Sequence, residues 1–275
     1  AVRRDNPGNG IRVLISSDGI TWPVSHHLDD TKVSTCDSPA LAVFNNKLYL
    51  FWRTNDSNNQ IKFAYSPDGI NWTIPTNNTL PGQSTSAAPA AASFNGKLYV
   101  FWRANIAANT IYYMASSDGT TWPSTSTSLA GNSTLAAPAA AVLGSKLFVF
   151  WKSNDTQNKI YKAYSTDGKG WVKDSAGTGM TIPNQTTSAS PAIASFNNRL
   201  YLAWKAADAN DTTSIYYGSS TDGINWGQQF PKIDSTSTSA APAIAGFGTK
   251  YLNMALKASG TGNEILTDNF LPGLF

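Results

Sequence analysis

Short apolar runs, each broken by a polar pair, set the rhythm of this chain. "PALAVFN" and "KLYLFWR" meet across Asn45-Asn46, a polar loop "TNDSNNQ" follows, and "IKFAYS" and "INWTI" then flank an Asp-Gly turn. Residues in such runs point alternately to two faces, and Asn or Gly stands where the chain must reverse. The pattern predicts four short strands in two hairpins. "SPALAVFNNKLYLFWR" from Ser38 returns as "APAAASFNGKLYVFWR", "APAAAVLGSKLFVFWK" and "SPAIASFNNRLYLAWK". A drifted fifth copy, "APAIAGFGTKYLNMALK", carries one extra residue.

A second motif keeps the same step. "SSDGITW", "SPDGINW", "SSDGTTW", "STDGKGW" and "STDGINW" place Asp18, Asp68, Asp118, Asp167 and Asp222 at spacings of 50, 50, 49 and 55. All nine tryptophans belong to the two motifs: Trp22, Trp72, Trp122, Trp171 and Trp226 close the heptapeptides, and Trp52, Trp102, Trp151 and Trp204 close the longer repeats. Four strands in about 50 residues, repeated, predict an all-β chain of β-propeller class. Helical periodicity is missing and prolines are spread throughout, which disfavours a helical solenoid, and a β-helix would show shorter repeats. The expectation is one domain over 1–275, with blades at about 39–72, 89–122, 138–171 and 191–226. A fifth, 242–275, would be completed by 11–24, so that the N- and C-terminal strands pair and leave no exposed edge. "NEILTDNF" competes with "IRVLIS" for that pairing, and six blades is the alternative.

Composition narrows the partners. Only 13% of residues are charged, against ~25% for soluble domains, and the net charge is +3. No Lys/Arg run suggests nucleic acid or an anionic membrane, and no apolar stretch approaches the ~18 residues of a span. Cys36 is the single cysteine, which excludes an internal disulfide and Cys-rich metal sites. A polar, Asn/Thr-rich chain with seven Asn-x-Ser/Thr sequons, beginning at Ala1 rather than Met, is the composition expected of a processed, secreted protein.

The heptapeptide resembles the Asp box of sialidase-like (BNR-type) propellers, usually Ser-x-Asp-x-Gly-x-x-Trp, shortened here by one residue between Asp and Gly. The resemblance implies a box in the hairpin between the third and fourth strands, away from the functional face. Physics implies the same scaffold role: Asp accepts backbone N–H bonds, Gly supplies positive φ, and Trp packs between sheets. Sialidases of that fold use an arginine triad, a Tyr–Glu pair and an acidic Asp. This chain has six arginines, Arg3, Arg4, Arg12, Arg53, Arg103 and Arg199, and one glutamate, Glu264, in the irregular tail. Asp56, Asp155, Asp208 and Asp211 fall in loops without an evident partner, and His26 and His27 are adjacent. The expectation is a chain that is not an enzyme and needs no metal or cofactor.

What remains is a repeated surface. The loops joining strand four to strand one and strand two to strand three share one face of a propeller. There Thr35, Thr85, Thr134, Thr187 and Thr238 recur as a ring of hydroxyls, beside Trp52-Arg53, Trp102-Arg103, Trp151-Lys152 and Trp204-Lys205. Lys257 fills the fifth place if the extra residue forms a bulge, and Asn55, Asn105 and Asn154 follow two positions after the cation. Aromatic, cationic and amide groups repeated this way suit weak, multivalent sugar sites, so glycans are the expected partners of a lectin-like protein. The competing expectation is a secreted module that binds another protein through its irregular segments, "HHLDDTKVSTCD", "KDSAGTGMTIPNQ" or "GNEILTDNFLPGLF".

Overall fold

The computed structural model describes residues 2–3, 9–29, 32–173, 180–207, 211, 213–227, 230–233, 238–258 and 265–270, and every regular element among them is a β-strand. The first sheet joins β1 (Val2–Arg3), β2 (Ile11–Ile15) and β3 (Val24–His27). The second joins β4 (Ala40–Phe44), β5 (Lys47–Arg53), β6 (Gln60–Ser66) and β7 (Thr79–Ser84). The third joins β8 (Ala90–Phe94), β9 (Lys97–Arg103), β10 (Thr110–Ser116) and β11 (Thr127–Ser133). The fourth joins β12 (Ala139–Leu143), β13 (Lys146–Lys152), β14 (Lys159–Ser165) and β15 (Met180–Thr186). The last two are three-stranded: β16 (Ala192–Phe196), β17 (Arg199–Lys205) and β18 (Ile215–Ser220), then β19 (Ala243–Phe247), β20 (Tyr251–Lys257) and β21 (Ile265–Phe270). All neighbours are antiparallel and follow chain order. The chain is an all-β β-propeller, the class that the repeats predict.

The four middle repeats each give one sheet, with the first three strands where expected. The fourth strand falls not at "INWTI", where Thr73 makes only a bridge to Tyr65, but beyond it at β7, β11 and β15. The heptapeptide's side-chain-to-backbone bonds hold that segment in a turn. In the last of the four repeats the described residues give, in place of a fourth strand, the bridge Tyr216–Lys232. The ends pair differently from expectation. β2 pairs with β1 and β3, and β20 takes Ile265–Phe270 as its third strand, from Leu252–Phe270 to Lys257–Ile265. The segment nearest in sequence claims the edge, because a short connection costs less entropy to close than one between the two chain ends. The extra residue of the fifth repeat is not a bulge: it lengthens the turn, so that Phe247 pairs with Tyr251 where Phe44 pairs with Lys47.

Two compact units can be distinguished, one comprising residues 1–17 and 21–133, the other 18–20 and 134–275. In the first, Phe51, Phe63, Val100 and Trp102 anchor a buried cluster, and Trp122 meets Phe51 edge-on at 5.7 Å and Phe63 at 6.0 Å. In the second, Phe150, Leu200, Leu202 and Trp204 play that part, with Trp226 against Phe150 at 5.7 Å. A tryptophan from one sheet thus locks onto the face of the sheet before it. Trp22 departs from the expected burial at 38% exposure, beside a strand β3 that is itself largely exposed.

The heptapeptide hairpins are built alike. Ser66 Oγ donates to Asp68 Oδ1 at 2.9 Å, which also accepts the N–H groups of Ile70 and Asn71, both at 2.8 Å. Gly69 takes φ +76° and donates its N–H to Ser66 Oγ, while Trp72 Nε1 donates to the Gly69 carbonyl at 3.0 Å. The Ser–Asp–Gly bonds recur around Asp118, Asp167 and Asp222, and the indole bond recurs at Trp226, which donates to the Gly223 carbonyl at 2.9 Å. The backbone N–H groups of Asn71 and Thr121 lead in holding Asp68 and Asp118 far below the ordinary carboxylate range. At Asp222 burial works upward, but the N–H groups of Asn225 and Ile224 outweigh it. These four aspartates serve turns, because a carboxylate already filled with backbone donors has little left to offer a substrate, and Asp18 likewise accepts the Ile20 N–H at 2.8 Å.

One core position breaks the pattern. Lys162 stands where β6, β10 and β18 carry Phe63, Tyr113 and Tyr217. It is 2% exposed and donates to the Thr181 carbonyl at 3.3 Å. Burial pushes its ammonium down to about 8, against the opposing pull of the Asp222 charge.

Candidate functional site at the strand ends

The second strands end in the sequence Trp-Arg or Trp-Lys, and period-two alternation sends the two side chains opposite ways. Trp52, Trp102, Trp151 and Trp204 are 0–1% exposed. Three of them stack on a tyrosine of the third strand, Trp102 on Tyr112, Trp151 on Tyr161 and Trp204 on Tyr216, at 5.9–6.3 Å. The expectation that these rings offer a face to a sugar is therefore corrected: a blade is covered on both faces, so the aromatic period is core.

The threonines are corrected on the same ground. Thr35, Thr85, Thr134, Thr187 and Thr238 are all fully buried. Each hydroxyl reaches the carbonyl two residues on, at 2.7–3.0 Å. Thr85, Thr187 and Thr238 also lie within 2.9 Å of the carbonyl of the cationic residue across the ladder, Arg103, Lys205 and Lys257. These hydroxyls tie the loop entering each first strand to the end of the second strand, and present no ring to solvent.

The cations are the accessible part. Arg53 is half-buried, and its Nε and Nη2 donate to Asn59 Oδ1 at 3.0 and 2.7 Å. Arg103 repeats the fork on Asn109 Oδ1 at 2.9 and 2.6 Å. The amides that hold the guanidinium planes are thus Asn59 and Asn109, six residues after each arginine. Asn55, Asn105 and Asn154 are exposed at the start of the turn. Asn59 and Asn109 both sit at φ +52°, which Asn tolerates better than most side chains. The signal was in the sequence: Asn recurs six positions after Arg53, Arg103 and Lys152 alike.

Backbone links join the two arginines. Arg53 Nη1 donates to the Ser86 carbonyl at 3.2 Å, and Ser86 N donates to the Arg103 carbonyl at 3.1 Å. Desolvation, followed by the Arg53 charge, lowers the Arg103 pKa from its ordinary value. A carboxylate enters at one repeat only. Asp37 occupies the position of Ala87, Ala136, Ala189 and Ala240, and its Oδ2 lies 3.9 Å from Arg53 Nη1, with both side chains partly exposed. Asp37 was legible as the one acid in an otherwise Ala-filled repeat position. Cys36 beside it is half-buried and donates to the Thr54 carbonyl at 3.3 Å.

The remaining candidates are accounted for by local bonds. Asp56 and Asp155 accept Thr54 and Ser153 hydroxyls and turn N–H groups, and Asp211 pairs with Lys232 at 3.2 Å. In the second unit Lys152 is half-buried and pushed down by burial, and Lys257 is exposed. Arg4, Asp208, Glu264 and the tail after Phe270 lie outside the described residues. Among the described residues no group of three His, Cys, Asp or Glu could hold a metal ion, and no helix is long and apolar enough to cross a membrane.

By sequence, no family model and no curated protein matches the chain. Its fold is shared with solved structures. A Penicillium chrysogenum α-L-arabinanase complexed with arabinobiose superposes with TM-score 0.61 at 14% identity, over 84% of this chain and 76% of that one. An α-L-arabinofuranosidase from Clostridium thermocellum gives 0.55 at 16%, over 84% and 88%. The fungal Aleuria aurantia lectin, a six-bladed β-propeller that recognises fucose, gives 0.62 at 15%, over 84% and 74%. At such identities the likeness establishes the propeller fold. It also corrects the expectation that the chain is not an enzyme, since glycoside hydrolases stand among the neighbours as well as a lectin. Missing sialidase parts speak only to sialidase chemistry.

Proposed function

We propose that this chain binds carbohydrate, and that the Arg53–Arg103–Asp37 group of the first unit makes the contact. The observation that carries the reading is the convergence of two Asn-braced guanidinium groups with the one carboxylate that breaks the repeat. Sugar hydroxyls both donate and accept. A site with fixed planar donors and a neighbouring carboxylate acceptor satisfies both roles, and binding it in a half-buried setting strengthens each bond. Arabinobiose and fucose bound by neighbouring propellers are consistent with this ligand class. The reading includes a secreted protein, supported by the low charge and the sequons, and treats the heptapeptide as a shortened Asp box with a scaffold role.

The test is isothermal titration with methyl α-fucoside, arabinobiose and N-acetylneuraminic acid, on the wild type, Asp37→Asn and Arg103→Lys. At least one sugar binds the wild type, and both variants weaken it tenfold or more. Lysine keeps the charge but loses the fork, so it separates geometry from charge. Equal affinities in all three proteins, or no binding in any, would overturn the reading. Release of reducing ends from arabinobiose, followed in parallel, reports whether the bound sugar is also cleaved.

A further inference from the structure

The second unit holds a separate feature in the β16–β18 sheet, where three repeat positions change together. Lys47, Lys97 and Lys146 begin the second strand of their sheets; the counterpart in β17 is Arg199. Ala64, Met114 and Ala163 become Gly218. Tyr65 and Tyr164 become Ser219. In the β4–β7 and β12–β15 sheets the tyrosine fills this place under the lysine, with Lys47 Nζ 4.7 Å from the Tyr65 ring and Lys146 Nζ 5.7 Å from that of Tyr164. Those tyrosines also exchange backbone bonds with Thr73 and Val172. In β18 the small Ser219 and its counterpart Gly227 line a cleft of about 250 Å³ instead.

The cleft is chemically mixed. Tyr201 and Tyr217 form aromatic walls, and Phe230 lies directly against Gly218, where any Cβ would collide with its ring. Phe230 is itself held edge-on to buried Trp204 at 5.1 Å. Arg199 donates from Nε and Nη2 to Ser219 Oγ, at 3.3 and 3.1 Å, which sets the guanidinium plane in the lining and leaves further N–H donors on the fork. The volume falls just under the ~300 Å³ at which ligand pockets usually begin, so it suits one ring and not a chain.

We propose that this cleft is a second binding site, distinct from the arginine pair of the first unit, and that it takes a single sugar ring. Tyrosine faces accept the C–H side of the ring, while Arg199 and Ser219 meet its hydroxyls. An indole-like knob fits less well, because it would leave the guanidinium of Arg199 and the hydroxyl of Ser219 in the lining without a polar partner from the ligand. The β8–β11 sheet also lacks the tyrosine, carrying Ala115, but keeps Lys97 and Met114. Among the four middle repeats the arginine and the glycine that seats Phe230 occur together in this sheet of β16–β18 alone.

Ser219→Tyr tests this directly, since it restores the residue that two other sheets carry. The three sugars above are titrated against wild type, Ser219→Tyr, Arg199→Lys and Asp37→Asn. The expected result is a site present in the wild type and in Asp37→Asn, lost in Ser219→Tyr and weakened tenfold or more in Arg199→Lys. Loss confined to Asp37→Asn would leave the first site standing and overturn this one. Unchanged isotherms in Ser219→Tyr, absence of any binding, or displacement of the sugar by indole at equal concentration would also overturn it. Thermal melting of Ser219→Tyr within a few degrees of wild type establishes that lost binding is not lost folding.

Discussion

The β4–β7 and β16–β18 sheets are written in nearly the same sequence, and they differ where it matters for chemistry. In the first, a lysine lies over a tyrosine, and that tyrosine is bridged to Thr73 just past the hairpin. In the second, arginine, glycine and serine replace the repeat residues and a cleft opens. The Asp-Gly hairpin that closes each third strand is kept in both, bond for bond. Agreement between repeats therefore marks scaffold, and departure from them marks the places worth testing. Asp37 obeys the same rule at the strand ends.

The scaffold side of this comparison breaks most sharply at a hairpin glycine. A Cβ on Gly119, at φ +81°, would overlap the ring and hydroxyl of Tyr49, which donates to the Asp118 carbonyl at 3.3 Å. Gly96, at φ +68°, has open space around it. Gly119→Ala is expected to cost about 2–5 kcal/mol, combining left-handed strain with overpacking, and Gly96→Ala about 1 kcal/mol from strain alone. Urea denaturation checks both. Equal losses would mean that the hairpin does not lock one sheet onto the next.

Why this much was legible, and no more, follows from local chemistry. Asn45-Asn46 at φ +47° and +57°, and Asp-Gly with its turn bonds, encode hairpins within a few residues. The strands and the scaffold role of Asp68 or Asp118 could be read from that. The edge partner of β20 could not, since two segments offered similar strands and chain proximity decided between them. Trp52 and Trp102 were misjudged because alternation gives two faces but not which of them is covered. The guanidinium partner likewise depends on how the turn folds back: Asn59 returns to Arg53, whereas the nearer Asn55 points into solvent.

A smaller effect comes from Lys162, among the described residues the one core position where a charged group replaces an aromatic. Its folded pKa of about 8 lies below the ordinary ~10.4 of the unfolded chain. Between these values the unfolded chain binds more protons, so stability rises as pH climbs from about 8 to about 10, and the penalty is fully present below pH 8. The shift corresponds to about 3 kcal/mol. Lys162→Phe, which restores the side chain that holds Trp122 in the first unit, should gain on that order at pH 7 and flatten the rise at high pH. Melts at pH 7 and pH 10 check it; a variant less stable than wild type at pH 7 would show that the Thr181 bond and the Asp222 charge outweigh desolvation.

The finest test converts one sheet toward the other. Tyr65→Ser removes the ring under Lys47 and the contact of Tyr65 with Tyr49 at 5.7 Å. Losing one aromatic pair and one exposed cation–π contact should cost about 1–2 kcal/mol, read as a lower urea midpoint at an unchanged slope. The opened gap would be flanked by Lys47 and Ala64, with neither a planar fork nor a glycine that admits a covering phenyl ring. Tyr65→Ser alone should thus acquire no sugar affinity, because an ammonium cannot meet two hydroxyls in the fixed geometry that Arg199 offers. If Tyr65→Ser did bind a sugar, the serine-for-tyrosine gap alone would be the recognition element, and Arg199, Gly218 and Phe230 would be its surroundings.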